Sequence, residues 1–189
     1  TAFARRVIER QSIPSLFNID ELKSKTTLQL LQERFAPYIG KRVSELARLM
    51  DISVTKNKAF NANLISAILG VKGTKLESLR EFNKANIKFK TIRLEPNGIP
   101  REHMSFEQID FNRWIRDDWE ESQIYENFEY TKYLFVVFQY DETETQNKDR
   151  EPYLKGIMLW NMSEVVIEHE LKDLWKTTKS ILETGVELK

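Results

Sequence analysis

Eight consecutive residues, Tyr133–Tyr140, form the most apolar run of this 189-residue sequence, and they limit its fold more than any other feature. A short apolar run of this kind reads as a strand buried on both faces, which belongs in the middle of a sheet with other elements covering it. Ile87–Leu94 supplies a second strand of alternating type, with Lys88 and Lys90 on one side and Ile87 and Phe89 on the other. Glu95-Pro96-Asn97-Gly98 follows as a turn, because Gly tolerates the positive φ that turns need. After a polar loop over Asp141–Arg150, Tyr153–Trp160 reads as a third strand.

The covering elements have helical periodicity. Thr26–Ala36 places Leu28, Leu31 and Phe35 on one face and stops at Pro37; Val43–Met50 repeats the pattern with Val43, Leu46, Ala47 and Met50. Lys58–Leu69 carries Leu64, Ile65 and Ile68 and closes at Gly70. Phe111–Glu126 predicts one amphipathic helix through Trp114, Ile115, Trp119 and Ile124. Ser163–Leu182 predicts a long one, with Ser163 as N-cap and Glu164 in the first turn. Helices first, then a sheet with helices around it, predict an α/β or α+β fold. The expected division is a helical N-terminal arm over residues 1–57 and a single compact core over residues 58–189.

Composition excludes several chemistries. There is no Cys, so disulfides and thiolate metal sites are ruled out, and His103 and His169 are too few for multi-histidine zinc chemistry. No stretch of 18 apolar residues exists to span a membrane. Thr1–Gln11 carries Arg5, Arg6 and Arg10 without an apolar segment, unlike a signal peptide. The expected location is the cytoplasm. Twenty-nine basic residues balance 29 acidic ones, but unevenly. Ile52–Arg101 holds ten Lys/Arg against three Asp/Glu; Glu102–Glu151 holds five against fourteen. A basic face of this kind attracts polyanions at a distance, although from charge alone a solvated mixed surface is the favoured reading.

Gly70–Thr91 is the segment that points to chemistry. An acid, Glu81, precedes a strand that carries Lys88-Phe89-Lys90. Metal-dependent nucleases use an acid followed by an acid-x-Lys pair on a neighbouring strand. Period-two geometry aims that pair at one side, where acids hold Mg²⁺ and the Lys assists the attacking water.

Several blocks in order carry a family resemblance: Ile39-Gly40-Lys41-Arg42-Val43-Ser44-Glu45-Leu46-Ala47; Lys58-Ala59-Phe60 with Leu64-Ile65-Ser66-Ala67-Ile68-Leu69-Gly70; Ile87-Lys88-Phe89-Lys90-Thr91; and Trp119-Glu120-Glu121-Ser122. Leu134–Phe138, Met158-Leu159-Trp160 and Leu171–Ile181 continue the match. Together, from Pro37 to Leu182, they resemble the MutH family. That family includes a mismatch-repair endonuclease and the Sau-type GATC-specific type II restriction endonuclease, and the likeness is closest to the C-terminal half of the latter. The resemblance implies a restriction-endonuclease-like core sheet flanked by helices, double-stranded DNA as partner, and Mg²⁺ as the cofactor of an intact enzyme.

At the positions the family uses for catalysis this sequence departs from it. The carboxylate of the family's Leu-Leu-Glu helix falls on Ser66, its Asp before the strand on Glu81, and its central Glu on Lys88; only its Lys is matched, by Lys90. One carboxylate beside two ammoniums repels Mg²⁺. The resemblance therefore implies a domain with no intact catalytic or metal site, which binds DNA through Lys58, Lys72, Lys75, Lys88 and Lys90. In that reading it is the effector half of a larger enzyme whose other MutH-like half cuts. The alternatives are an active Mg²⁺-dependent endonuclease using Glu81 and a further acid, and a structural dimerisation module. Lys88 and Lys90 also fit the wet face of an edge strand, and Glu81 fits an ion-pair partner for neighbouring lysines. Gly185-Val186-Glu187-Leu188-Lys189 spells acid-x-Lys but reads as a frayed tail. The family's following segment, with an Arg-Pro motif that reads base edges, has no counterpart here, as expected of a truncated chain.

Overall fold

A computed structural model describes residues 14–55, 57 and 59–185, and it divides them into two compact units. One runs through His103 and resumes over Tyr133–Leu159; the other comprises Met104–Lys132 and the chain from Trp160 onward. Among the described residues no helix is long and apolar enough to cross a membrane.

The first unit begins with two short helices, α1 (Ile19–Ser24) and α2 (Thr27–Phe35). Each opens with a capping box, Asn18 with Glu21 and Thr26 with Gln29, in which side chain and backbone satisfy each other's orphan groups. α3 (Val43–Leu49) and α4 (Phe60–Ile68) follow, the latter ending before Gly70 at φ +78°. A short α5 (Arg80–Lys84) then leads through Asn86, at φ +47°, into β1 (Ile87–Leu94).

β2 (Lys132–Gln139) lies between β1 and β3 (Tyr153–Trp160), as its apolar run requires. The Tyr140 N–H donates to Leu94 O at 2.9 Å, which joins the C-terminal ends of β1 and β2 and makes that pair parallel. β3 returns antiparallel, the Tyr153 hydroxyl meeting Gln139 Oε1 at 3.2 Å. The start of β3 is covered by residues 40–43: Gly40 N–H donates to Leu154 O and Leu154 N–H to Lys41 O. That pairing shields part of an edge that would otherwise be open.

The sheet and the N-terminal helices share one core. Leu30, Leu31, Phe35 and Leu46 pack with Leu64, Ile65, Phe82, Leu134, Val136 and Leu154. Each is nearly inaccessible to water, so truncation at any of them leaves a cavity costing about 2–5 kcal/mol.

The second unit is built from α6 (Phe111–Arg116), α7 (Gln123–Glu129), α8 (Glu164–Val166), a π turn over Ile167–Leu171, and α9 (Lys172–Thr184). Its own core consists of Trp114, Trp119, Ile167 and Trp175. The Trp114 indole N–H donates to Trp175 O at 3.3 Å, and that of Trp119 donates to Glu168 at 3.2 Å. Two sequence expectations are corrected here. The helix predicted over Phe111–Glu126 is broken after Arg116, because Asp117 is extended and accepts a bond from Arg113, while Ser122 caps a new helix by accepting the Tyr125 N–H. Ser122 competes with the helix backbone in this way, its hydroxyl also donating to Trp119 O. The helix predicted over Ser163–Leu182 does start on Ser163, whose Oγ accepts the Val166 N–H, but it is interrupted by the π turn.

Candidate functional site

The four positions that the family resemblance aligns with cleavage chemistry, Ser66, Glu81, Lys88 and Lys90, all lie in the first unit, on α4, α5 and β1. α4 buries Phe60, Leu64, Ile65 and Ile68 in the core and carries Ser66 inward with them. Ser66 is 1% exposed, and its hydroxyl donates to Asn63 O at 2.9 Å, one turn back along its own helix. It has the satisfied, neutral character of a core serine.

Glu81 is also buried, at 8% exposure, and its carboxylate is fully engaged. Ser15 Oγ donates to Oε1, the Leu16 N–H to Oε2 at 3.0 Å, and the Phe17 N–H to Oε1 at 3.4 Å. The Arg80 N–H donates to Pro14 O at 3.0 Å, so α5 straps residues 14–17 along its start. Burial alone would raise the Glu81 pKa; the bonds from Leu16, Ser15, its own N–H and Phe17 outweigh it and hold the carboxyl below its ordinary value. Glu81 serves the N-terminal segment, where the sequence suggested a neighbouring lysine as its partner.

β1 follows α5 directly. Ile87 is buried and Phe89 packs on the core, which places Lys88 and Lys90 on the opposite face of the strand; both are half-buried. β1 is an edge strand. Of the other lysines singled out in the sequence, Lys72 donates to Asp51 O at 2.9 Å and Met50 O at 3.4 Å, so its charge closes the end of α3. Lys75 is exposed at a 3-10 turn over Leu76–Ser78. Lys58 lies outside the described residues.

Mg²⁺ takes carboxylate, carbonyl and water oxygens. The cleavage positions offer a hydroxyl bonded to its own helix, a carboxylate occupied by Ser15 and two backbone amides, and two ammoniums. This donor set does not fit the ion. Among the described residues, no three Asp, Glu or His side chains come together as a metal would need.

A second polar constellation was not anticipated from the sequence. At the C-terminal ends of β1 and β2, Arg150 forks onto Glu95 at 2.5 and 2.7 Å with its side chain only 4% exposed, and its guanidinium lies 4.2 Å from the centre of the Tyr140 ring. Arg101 also reaches Glu95, at 3.2 Å. The hydrogen bonds from Arg150, reinforced by the charges of Arg150 and Arg101, hold the Glu95 carboxyl below its usual value. A signal was present: Glu95 is one of three acids in the basic stretch, and Arg150 one of five bases in the acidic one.

Comparison with known proteins agrees with this layout. The type II restriction enzyme Sau3AI of Staphylococcus aureus is 30% identical over 179 residues, covering 89% of this chain. The chain spans about a third (35%) of that relative's length. The family described as DNA mismatch repair enzyme MutH matches residues 73–173, a stretch that contains α5, β1, β2 and β3 and amounts to more than half of the sequence. The α/β sheet, the ordered motifs and this match together place the chain in the MutH family.

Proposed function

We propose that this chain is a DNA-binding domain of a type II restriction endonuclease whose own metal site has degenerated. In this reading it acts in the cytoplasm as the effector half of a larger GATC-specific enzyme. The observation that carries the proposal is the state of the aligned positions: Glu81 is spent on the Ser15 hydroxyl and the Leu16 and Phe17 amides, Ser66 is a core hydroxyl, and β1 carries Lys88 at the position that the family resemblance assigns to an acid. Membership of the MutH family and the likeness to a restriction enzyme support double-stranded DNA as the partner. Lys58, Lys75, Lys88 and Lys90 would meet phosphates, contacts that position a protein on the duplex without reading its sequence. A second MutH-like half, with its acids and Mg²⁺ in place, would cut.

A mobility-shift titration on two duplexes that differ only in one GATC site, run beside plasmid nicking in Mg²⁺ and in Mn²⁺, tests the proposal. A shift that favours the GATC duplex, with no nicking, is expected. Nicking that disappears in Lys90→Ala would overturn the degenerate site, since a contaminating nuclease would not respond to that change. Failure to shift either duplex would leave the dimerisation module as the better description.

A further inference from the structure

We infer that the second unit carries a docking pocket for a basic protein segment, which inserts one large apolar side chain among α6, α7 and α9. The cavity measures about 260 Å³ and is walled by Phe106, Ile109, Trp114, Ile124, Leu171 and Leu174. Pockets for drug-sized ligands and cofactors begin near ~300 Å³, so this one suits a single side chain of aromatic or branched aliphatic size. Three of its wall residues are open to water: Phe106 at 47%, Ile109 at 45% and Leu174 at 55%. Apolar groups gathered around a concave opening are the usual mark of an interaction site, unlike apolar residues scattered singly.

The wall on the α9 side has an irregular backbone. The π turn over Ile167–Leu171 interrupts the helix just where Ile167 enters the tryptophan core and Leu171 reaches the cavity. Such π turns are rare within helices and are found often at functional sites.

Charge selects the partner. Glu107 and Asp110 line the same cavity. Over its described residues the second unit holds thirteen Asp/Glu against six Lys/Arg. Four of those six bases are engaged internally: Arg113 pairs with Asp117 and Glu126, Lys172 with Glu168, Arg116 donates to Asn112 O, and Lys179 to Asp117 O. An apolar hole in an acidic surface repels nucleic acid and attracts a segment in which Lys or Arg flank the inserted residue. The inference is independent of the DNA-binding proposal, which uses lysines of the first unit.

Trp114 and Trp175 line the cavity, so tryptophan fluorescence of the whole chain reports occupancy. The probe is the peptide acetyl-Arg-Arg-Phe-Arg-Arg-amide, compared with versions in which the Phe is replaced by Ala, or the arginines by Ser or by Glu. A saturable change with the parent peptide is expected. The Ala version should bind about ten-fold more weakly or worse, the cost of losing one buried aromatic; the Ser version should bind more weakly and the Glu version not at all. Leu174→Glu, at a half-exposed position, should abolish peptide binding and leave the DNA shift unchanged. Equal binding of the Ala peptide would reduce the effect to general electrostatics and overturn the inference. Equal binding of the Ser peptide would make the cavity a site for neutral apolar ligands and overturn the basic partner, and absence of any binding would sink the site itself. Because the peptide series is read on the unaltered protein, the outcome does not depend on how the variant folds.

Discussion

Replacing Glu81 by Ala separates two roles that a carboxylate at this position can play. In the structure it accepts from Ser15 Oγ and from the Leu16 and Phe17 amides, and both of those residues are themselves buried. Hydrogen bonds to a charged group contribute about 1.5–3 kcal/mol each, and a buried amide left without an acceptor costs about 1–3 kcal/mol. Because the Ser15 hydroxyl and the Leu16 and Phe17 amides can reach water once the strap loosens, the lower end of the second range applies, about 1 kcal/mol for each of the three donors and about 3 kcal/mol in all. For a chain of this size each kcal/mol moves Tm by roughly 2–4 °C, so Glu81→Ala should melt about 6–12 °C lower, read by circular dichroism. The sign is the informative part. A carboxylate held ready for a metal is repelled by its neighbours in the metal-free protein, and removing it leaves stability unchanged or improves it. The folded carboxyl lies below its ordinary pKa, so its contribution is present above the unfolded value and is lost as pH falls through the folded one. The gap between wild type and Glu81→Ala should therefore close in acid. A variant as stable as wild type at neutral pH, or one whose deficit is independent of pH, would refute the strap.

Ser66→Glu, which resembles a first step towards rebuilding a metal site, should destabilise the fold by about 3 kcal/mol or more in urea titration, because it places an unpaired charge at a position now 1% exposed. Mg²⁺ calorimetry on Ser66→Glu with Lys88→Glu should show no binding, since Glu81 is already occupied; tight binding would show that the carboxylates do converge. At the sheet end, Glu95→Gln weakens the fork from Arg150 and should speed amide exchange across residues 141–150. With its pKa depressed first by the Arg150 hydrogen bonds, Glu95 stabilises this loop above its ordinary titration range and ceases to as pH falls through the lowered value. Protection of the wild-type loop, measured against the intrinsic exchange rate at each pH, should therefore fall in acid, and a loop whose protection is the same at neutral and acid pH and in Glu95→Gln would contradict this.

Strand positions were the most legible part of the sequence. The apolar run at Tyr133–Tyr140 and the alternation at Ile87–Leu94 named the central and edge strands to within a residue, because burial on two faces or on one leaves a direct pattern. α1 was missed for the converse reason: Ile19 is 71% exposed, so it has no apolar stripe, and only its capping box, Asn18 to Glu21, could have announced it. The break at Asp117–Ser122 was readable in principle from three helix-competing side chains lying across an apolar period that continues past them. The π turn was not, since nothing in the order of residues distinguishes it from α-helix. Spacing marked Glu81 as a candidate acid, but its partners lie more than sixty residues away, a separation at which local pattern carries no information. The Glu95–Arg150 fork spans 55 residues and was hidden for the same reason.

The basic stretch looks different once folded, and this changes the expected DNA affinity. Ten Lys/Arg between Ile52 and Arg101 suggest a strongly charged face. Arg93 is paired with Glu102 at 2.6 Å, and Arg101 with Glu95 and Glu144 at 3.2 Å, two of these acids coming from the acidic stretch that follows. Lys72 is held by backbone carbonyls. An arginine in such a pair gains little from a phosphate, because it must give up one carboxylate to meet another. The proposed DNA contacts are those of Lys58, Lys75, Lys88 and Lys90, the lysines that the family resemblance sets around the groove. Each phosphate neutralised contributes about −0.9 to the slope of log affinity against log salt, so four contacts give a slope of about −3.6, where ten would give about −9. Lys88→Ala with Lys90→Ala should flatten it by about two units and weaken binding to every duplex alike. Lys148→Ala is the suitable control; Arg150 is not, because its removal disturbs Glu95 and the loop. A wild-type slope near −9 would mean that the arginine pairs open on DNA, and a double variant with the wild-type slope would move the interface away from β1.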